Sequence, residues 1–264
     1  MNILETILDN TRREITHAKN SVPIEKLKDM PGFIRRCFSF HSALQNDDVA
    51  VIAELKKASP SKGILRDDFD PLSLAKEYVD SGASALSVLT DSKFFQGNIR
   101  YIFDIRSSVP IPILRKDFII DSYQIIEAKA FGADAILLIA AALAPNQLRD
   151  LHEEAAEVGL DCLVEVHHEQ ELEKLAQTQV KIIGINNRDL SDFTVDISTT
   201  LRIASRVPPG ITLVSESGIM KRADIDYLAT HGIHAVLVGE SLMKAQKPGD
   251  ALKKLLTPSG GAYR

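Results

Sequence analysis

Several short stretches of this sequence carry side chains that could do acid–base chemistry: Glu54 and Lys56, Lys116 and Asp117, Glu165, Asn186 and Arg188, and Glu216 with Ser217. Each falls where a run rich in Val, Ile and Leu ends, so the polar groups stand at the ends of expected strands. Carboxylates beside lysines in a low-dielectric mouth acquire separated pKa values, and one group can then act as acid while another acts as base. Taken singly, each residue reads equally well as a solvated strand end or half of an ion pair; the weight comes from repetition over several strands. A second feature is phosphate-sized. Ser217-Gly218 and Gly239-Glu240-Ser241 each lead from a strand into a helix, where backbone N–H groups can approach and hold an anion. The loop Ser59-Pro60-Ser61-Lys62-Gly63 adds hydroxyl and amide donors, with Lys56 as compensating charge, although it is also an ordinary Pro/Gly turn. His167 and His168 have no third ligand at metal-like spacing and are assigned to a polar rim. No Gly-x-Ser-x-Gly nucleophile turn occurs.

Positioning these groups requires the elements around them. Strand candidates are VAVIAEL from 49, ALSVLT from 85, IPILRKDF from 111, DAILLIA from 134, DCLVEV from 161, KIIGIN from 181, ITLVSES from 211 and HAVLVG from 234. Their starts lie about 26 residues apart, near the ~30 of a strand, crossover helix and next strand. Helices are expected from Pro71, Ser122, Pro145, His168, Ile197, Met220 and Pro248, and between Phe94 and Val109 mainly because the alternation demands one. Nearly continuous apolar strands are covered on both faces, as in parallel sheets. The pattern predicts an α/β fold, a closed (β/α)8 TIM barrel over residues 49–264, with catalytic groups at the carboxyl ends of its strands. A doubly wound open sheet is the alternative, but neither a Gly-x-Gly-x-x-Gly turn nor a Walker A sequence follows a strand. Alternation places Ile52, Glu54 and Lys56 on one face, and Ile182, Gly184, Asn186 and Arg188 on one face.

Residues 1–48 form an N-terminal helical extension. Ile3, Leu4, Ile7, Leu8 and Ile15 mark an amphipathic helix, and Pro23, Pro31 and Gly32 break the chain after it into short pieces. Two uses stand open: the extension closes one barrel end, or Phe33, Phe38 and Phe40 belong to a lid over the site.

The composition is that of an ordinary globular protein: 264 residues, 45% hydrophobic, 25% charged, net charge -5 from 31 basic and 36 acidic residues. No basic block is present, so nucleic-acid binding is not expected. The two cysteines, Cys37 and Cys162, make neither a disulfide framework nor a zinc site, and Cys162 reads as a buried strand thiol. The longest apolar run, Ala135 to Ala144, is half the ~20 residues of a membrane span. Glu5 and Asp9 stand where a secretory signal would be basic, so the expected location is the cytoplasm. No apolar surface stripe stands out, and a monomer is expected.

The stretch VIAELKKASPSKGIL at 51–65 resembles the signature of the indole-3-glycerol phosphate synthase family. LSVLTD with FFQG, ILRKDFIID, GADAILLIAAAL, the Glu165 strand, IGINNRDL, SESGI and VGESLM follow in the family's order, from Val49 to Leu256, and the helical extension is also similar. The resemblance implies ring closure, decarboxylation and dehydration of a phosphorylated anthranilate-sugar substrate in tryptophan biosynthesis, without metal or cofactor. It puts the general acid on Lys116, a second lysine on Lys56, carboxylates on Glu54, Glu165 and Glu216, and orienting groups on Asn186 and Ser217. Glu165 is then the base of the dehydration, with Lys56 or Lys116 its acid. Arg188 becomes a substrate contact. Ser59, Gly218, Gly239 and the Glu240 backbone become phosphate contacts, and Phe95, Phe118 and Leu190 walls for the ring. Another phosphate-binding barrel, such as phosphoribosylanthranilate isomerase, and a catalytically silent metabolite-binding barrel remain alternatives. The lysine-rich mouth and the intact strand ends speak against them.

Overall fold

The computed structural model describes residues 3–45, 48–189 and 193–258. Its strands are β1 (Ala50–Leu55), β2 (Ala58–Ser59), β3 (Gly63–Ile64), β4 (Ala85–Leu89), β5 (Ile113–Lys116), β6 (Ala135–Ile139), β7 (Asp161–Val166), β8 (Ile182–Asn186), β9 (Thr212–Glu216) and β10 (Ala235–Val238). Strands β2 and β3 make a small antiparallel hairpin just past β1. The others are parallel and close into a barrel in the order β1-β10-β9-β8-β7-β6-β5-β4. All the expected strands are present, and the fold is the TIM barrel the alternation predicts.

The helices are α1 (Ile3–Ser21), α2 (Ile24–Lys28), α3 (Pro31–Ile34), α4 (Phe40–Ala43), α5 (Pro71–Asp80), α6 (Ser92–Phe95), α7 (Arg100–Arg106), α8 (Ser122–Phe131), α9 (Pro145–Glu157), α10 (Ser198–Ala204), α11 (Arg222–Ala229), α12 (Glu240–Met243) and α13 (Pro248–Leu256). Local chemistry sets several starts. The Asp70 side chain caps Leu72 and Ser73 N–H ahead of Pro71, and Asp121 caps Tyr123 N–H ahead of α8. The segment expected as a helix from His168 is instead a 3₁₀ helix over Glu169–Leu175. Its apolar residues Leu172 and Leu175 stand three apart with no second turn of apolar residues to extend them, which suits the three-residue period. No helix among the described residues is long and apolar enough to cross a membrane.

Two layers of apolar side chains account for the alternation. Val51, Ala53, Leu55, Leu86, Val88, Ile136, Leu138 and Val164 point outward into the layer beneath the helices, where Cys162 is also buried. Ile52, Leu114, Leu137, Leu163, Ile182, Val214 and Leu237 point inward and fill the barrel. Each fully buried Val, Leu or Ile side chain contributes about 1.5–3 kcal/mol. The inward rows continue upward into Glu54, Lys116, Glu165, Gly184 and Asn186, and Glu216, so the register that packs the interior also aims the polar groups.

Phe38 and Phe40 do not form a lid. Phe40 and Leu44 enter the barrel interior from its amino-terminal end, against the small residues Ala50, Ala85, Ala135 and Ala235 that begin their strands. Phe38 N–H donates to Asp134 Oδ1 at 2.8 Å and His41 N–H to Asp161 Oδ2 at 3.0 Å, both on the side opposite the strand ends. Phe33 packs with Leu27 and Tyr123 against α8. Helix α1, by contrast, reaches the carboxyl ends. Glu14 accepts from Ser92 Oγ at 2.8 Å, Lys19 pairs with Asp121 at 2.8 Å, and Tyr123 Oη donates to Ala18 and Val22 carbonyls.

The extension is clamped by Asp134, which is fully buried and pairs with both Arg35 and Arg106 at 2.6 Å while accepting Phe38 and Ile113 N–H. Removing one partner of a buried pair leaves charge uncompensated, so Asp134→Ala is expected to lower unfolding free energy by about 3–5 kcal/mol. Urea denaturation with the wild type as reference measures it.

Candidate active site

Every site residue named from the sequence, except Leu190, which lies outside the described residues, lines one cavity of about 490 Å³ at the carboxyl ends of the strands. At its base Lys116 Nζ stands 2.8 Å from Glu165 Oε2 and 3.4 Å from Glu216 Oε2. Glu54 Oε2 pairs with Lys56 Nζ at 2.6 Å, and Ser87 Oγ points at Glu54 Oε1 from β4. Asn186 ties two of these strands to a loop: its Nδ2 donates to Glu165 Oε1 at 3.3 Å and its Oδ1 accepts from Ser217 Oγ at 2.9 Å. Ser217 holds a left-handed backbone at φ 66°, unusual for a residue with a side chain and common where a site fixes its geometry.

Burial and charge separate the acids and bases. Burial alone would discharge Lys116, but the surrounding Glu165, Glu216 and Glu54 outweigh it and hold the ammonium well above the usual lysine range. Burial would also protonate Glu165, but Lys116 and His167 overcome it and keep that carboxyl ionised, far below its ordinary range. Glu216 goes the other way: burial, with repulsion from Glu165 and Glu54, exceeds the help from Lys116 and pushes it up to about 8. Glu216 Oε1 is buried without a hydrogen-bond partner. The groups that face this space are thus driven apart, Glu165 toward the ionised carboxylate, Glu216 toward the protonated acid and Lys116 toward the ammonium.

Two glycines make room for the carboxyls. A Cβ on Gly184 would fall 2.1 Å from Glu216 Oε1, and one on Gly239 2.2 Å from Glu54 Oε2. Each inward row therefore has a gap where a neighbouring strand needs space for an acid.

Further up, Phe95 and Phe118 form one wall, their ring centroids 6.2 Å apart and planes tilted by 39°. Asp91 holds the Phe95 turn by accepting Phe94 and Phe95 N–H at 2.6 and 3.1 Å. Gly218 after β9, and Gly239 and Glu240 at the start of α12, line the same cavity, as does Ser59 on the hairpin, which packs beside α6; Ser241 Oγ joins the two glycine loops by donating to the Ile219 carbonyl. Arg188 reaches Glu240 Oε2 at 3.2 Å across the same mouth.

Some residues depart from expectation. Asp117 pairs with Arg115 at 3.1 Å and accepts from Thr90, anchoring a buried network beside the reacting groups. His167 is not on the rim: it is 4% exposed and sits behind Glu165, whereas His168 is exposed. Sequence reasoning missed Ile3, Leu4 and Ile7 of α1, which line the cavity, together with Phe193 and Met220. The apolar stripe of α1 was the available signal, but periodicity does not say which end of the barrel a helix covers.

The family profile described as indole-3-glycerol phosphate synthase matches residues 4–255. Curated relatives bearing that name include a protein of Salinibacter ruber, 47% identical over 97% of this chain and 95% of its own length. Another is from Rhodopirellula baltica, 46% identical over 97% of this chain and 99% of its own length. Among solved structures, a 3-hexulose-6-phosphate synthase superposes with a TM-score of 0.64 at 13% identity, covering 78% of this chain and 98% of its own. A tryptophan synthase alpha-subunit from Pyrococcus furiosus gives 0.60 at 17% identity, covering 79% and 98%. At that identity the structural likeness speaks for the barrel alone. The profile and the relatives go further, spanning the extension and every strand end that carries an acid or a lysine: the chain belongs to the indole-3-glycerol phosphate synthase family.

Proposed function

We propose that the cavity converts 1-(2-carboxyphenylamino)-1-deoxyribulose 5-phosphate to indole-3-glycerol phosphate, with Lys116 as general acid and Glu165 as general base. The observation that carries this reading is the placement of Lys116 Nζ between Glu165 and Glu216 in one cavity that the Phe95–Phe118 pair and two glycine loops also line. The substrate has matching parts: an anthranilate ring for Phe95, Phe118 and Leu190, a ketone-bearing chain, and a phosphate for Ser59, Gly218, Gly239 and the Glu240 backbone. Holding both ends folds a flexible chain so that its reacting carbons meet, an advantage of up to ~7–11 kcal/mol in favourable cases.

The amine nitrogen pushes electrons into the ring, and the carbon bearing the carboxylate attacks the ketone carbon. Lys116 donates a proton to the oxygen as it becomes negative. The new bond leaves an iminium next to the carboxylate. As CO₂ departs, its bonding electrons flow to that iminium and restore the aromatic ring. Decarboxylation thus uses an electron sink made by the substrate itself. Dehydration follows: Glu165 takes a proton from the carbon beside the nitrogen, or from the nitrogen, while a lysine ammonium protonates the leaving hydroxyl. Lys56, paired with Glu54, takes that last role, or Lys116 does once water has reprotonated it. Asn186 and Ser217 orient Glu165, and Arg188 contacts substrate near the mouth.

The test is a product assay on the purified protein with that substrate. CO₂ release together with indole fluorescence is expected; sugar isomerisation of phosphoribosylanthranilate without CO₂ would replace this reading by the isomerase one.

A further inference from the structure

His167 has no part in the chemistry above, yet it is among the most deeply buried ionisable groups of the barrel and does not line the cavity. Its ring lies between two carboxylates. Nε2 stands 3.2 Å from Glu165 Oε1, on the side away from Lys116, and Nδ1 stands 3.9 Å from Glu171 Oε2. The Glu171 carboxylate is itself fixed, accepting His167 backbone N–H at 2.7 Å. The Nδ1 contact is longer than a hydrogen bond, and neither ring nitrogen has a partner at full hydrogen-bond geometry, so the two carboxylates hold the ring as ion-pair neighbours.

The site's charge balance gives this arrangement a purpose. Across the cavity base Glu54 is paired with Lys56, and Glu165 and Glu216 share the single ammonium of Lys116. In the proposed reaction Lys116 gives its proton to the ketone oxygen, and until it is recharged a neutral amine no longer holds Glu165 ionised. A cation on the far side of Glu165 would persist through that step.

We infer that His167 is a positioning residue, an imidazolium held between Glu165 and Glu171 that keeps the Glu165 carboxylate ionised and aimed after Lys116 has been discharged. This rests on the function proposed above. Burial opposes charge on the ring, but the two carboxylates outweigh it and hold His167 up at about 10. Glu171 is correspondingly held low, its burial overcome by His167, with His168 adding a smaller pull. The other charged groups packed around this segment are engaged elsewhere. Lys116 and Glu216 lie beyond Glu165 on β5 and β9. Glu169 is held by Arg202 and Arg206 of α10, and Lys174 donates to the Ala140 and Leu143 carbonyls. On α9, Arg149 pairs with Asp150, and burial lowers His152, which lies in the field of Glu153, Lys181 and Asp161.

Two measurements test it. Ring nitrogen NMR of the wild-type protein is expected to find His167 as an imidazolium at pH 8; a neutral ring at that pH, or a midpoint near 6.5, overturns the proposal whether or not any variant folds. In His167→Gln, loss of the cation makes ionised Glu165 less favourable, so its pKa rises and the acid limb of kcat moves to higher pH by about one unit or more. The accompanying fall in kcat is expected to be roughly tenfold or more with KM unchanged, and Glu171→Gln to move the limb the same way by less. A His167→Gln enzyme with the wild-type limb and kcat overturns the inference, as does a loss confined to KM. Failure of the proposed function is separately visible: the wild type would then make no indole product, while the ring's charge would still be read by NMR.

Discussion

Replacing Lys116 with alanine is expected to lower turnover by at least about 10³-fold while the substrate still binds. The ammonium is asked both to protonate the ketone oxygen and to stabilise charge building on it, and no other cation is bonded to both Glu165 and Glu216 among the described residues. In the proposed reaction binding rests instead on the aromatic wall and the glycine loops, which the substitution leaves in place. Equilibrium titration with substrate, alongside single-turnover kinetics, separates the two. Near wild-type turnover would remove Lys116 from the acid's role. The neighbours should respond as well. Without the ammonium, both Glu165 and Glu216 lose the charge that favours their ionised forms, so both are expected to protonate at higher pH than in the wild type.

Glu165→Gln is expected to reduce formation of indole by about 10²–10⁴-fold, because glutamine keeps the shape and cannot accept the proton. If Glu165 acts only in dehydration, single-turnover experiments will show CO₂ released before, and in excess of, indole absorbance. Equal loss of both signals would move Glu165 to an earlier step. The pH dependence has a defined sign. Removing the Glu165 charge relieves the repulsion that helps hold Glu216 up at about 8, so any limb belonging to Glu216 moves to lower pH. Lys116 loses its nearest carboxylate and its pKa falls from the raised value.

The alternation of apolar runs and helical segments was enough to predict the barrel, because parallel strands covered on both sides have few other closures. The same period of two placed Glu54 with Ile52, and Asn186 with Gly184 and Ile182, on the inward face, as observed. Chain reasoning failed where the outcome depended on which end of the barrel a segment meets. Phe38 and Phe40 are aromatic and precede the first strand, features equally compatible with a lid and with a floor. What selects the floor is the row of alanines at the strand starts and the Asp134 and Asp161 carboxylates that receive Phe38 and His41 N–H. His167 was misplaced for a related reason: a histidine after a strand is ordinarily solvated, and only the folded positions of Glu165 and Glu171 reveal what draws it inward. Gly184 and Gly239 illustrate the converse. The sequence marks them as small, while the reason is an acid arriving from the neighbouring strand.

The stretch before the first strand is fastened at both poles of the barrel. Its opening helix borders the reaction chamber through Ile3, Leu4 and Ile7, and its closing turn stoppers the far pole with Phe40 and Leu44. Roof and stopper are therefore one continuous strap, buckled midway by the Asp134 arginines. The same piece of chain borders the chamber at one end and plugs the barrel at the other, and its length between them is sewn to the outer face of α8.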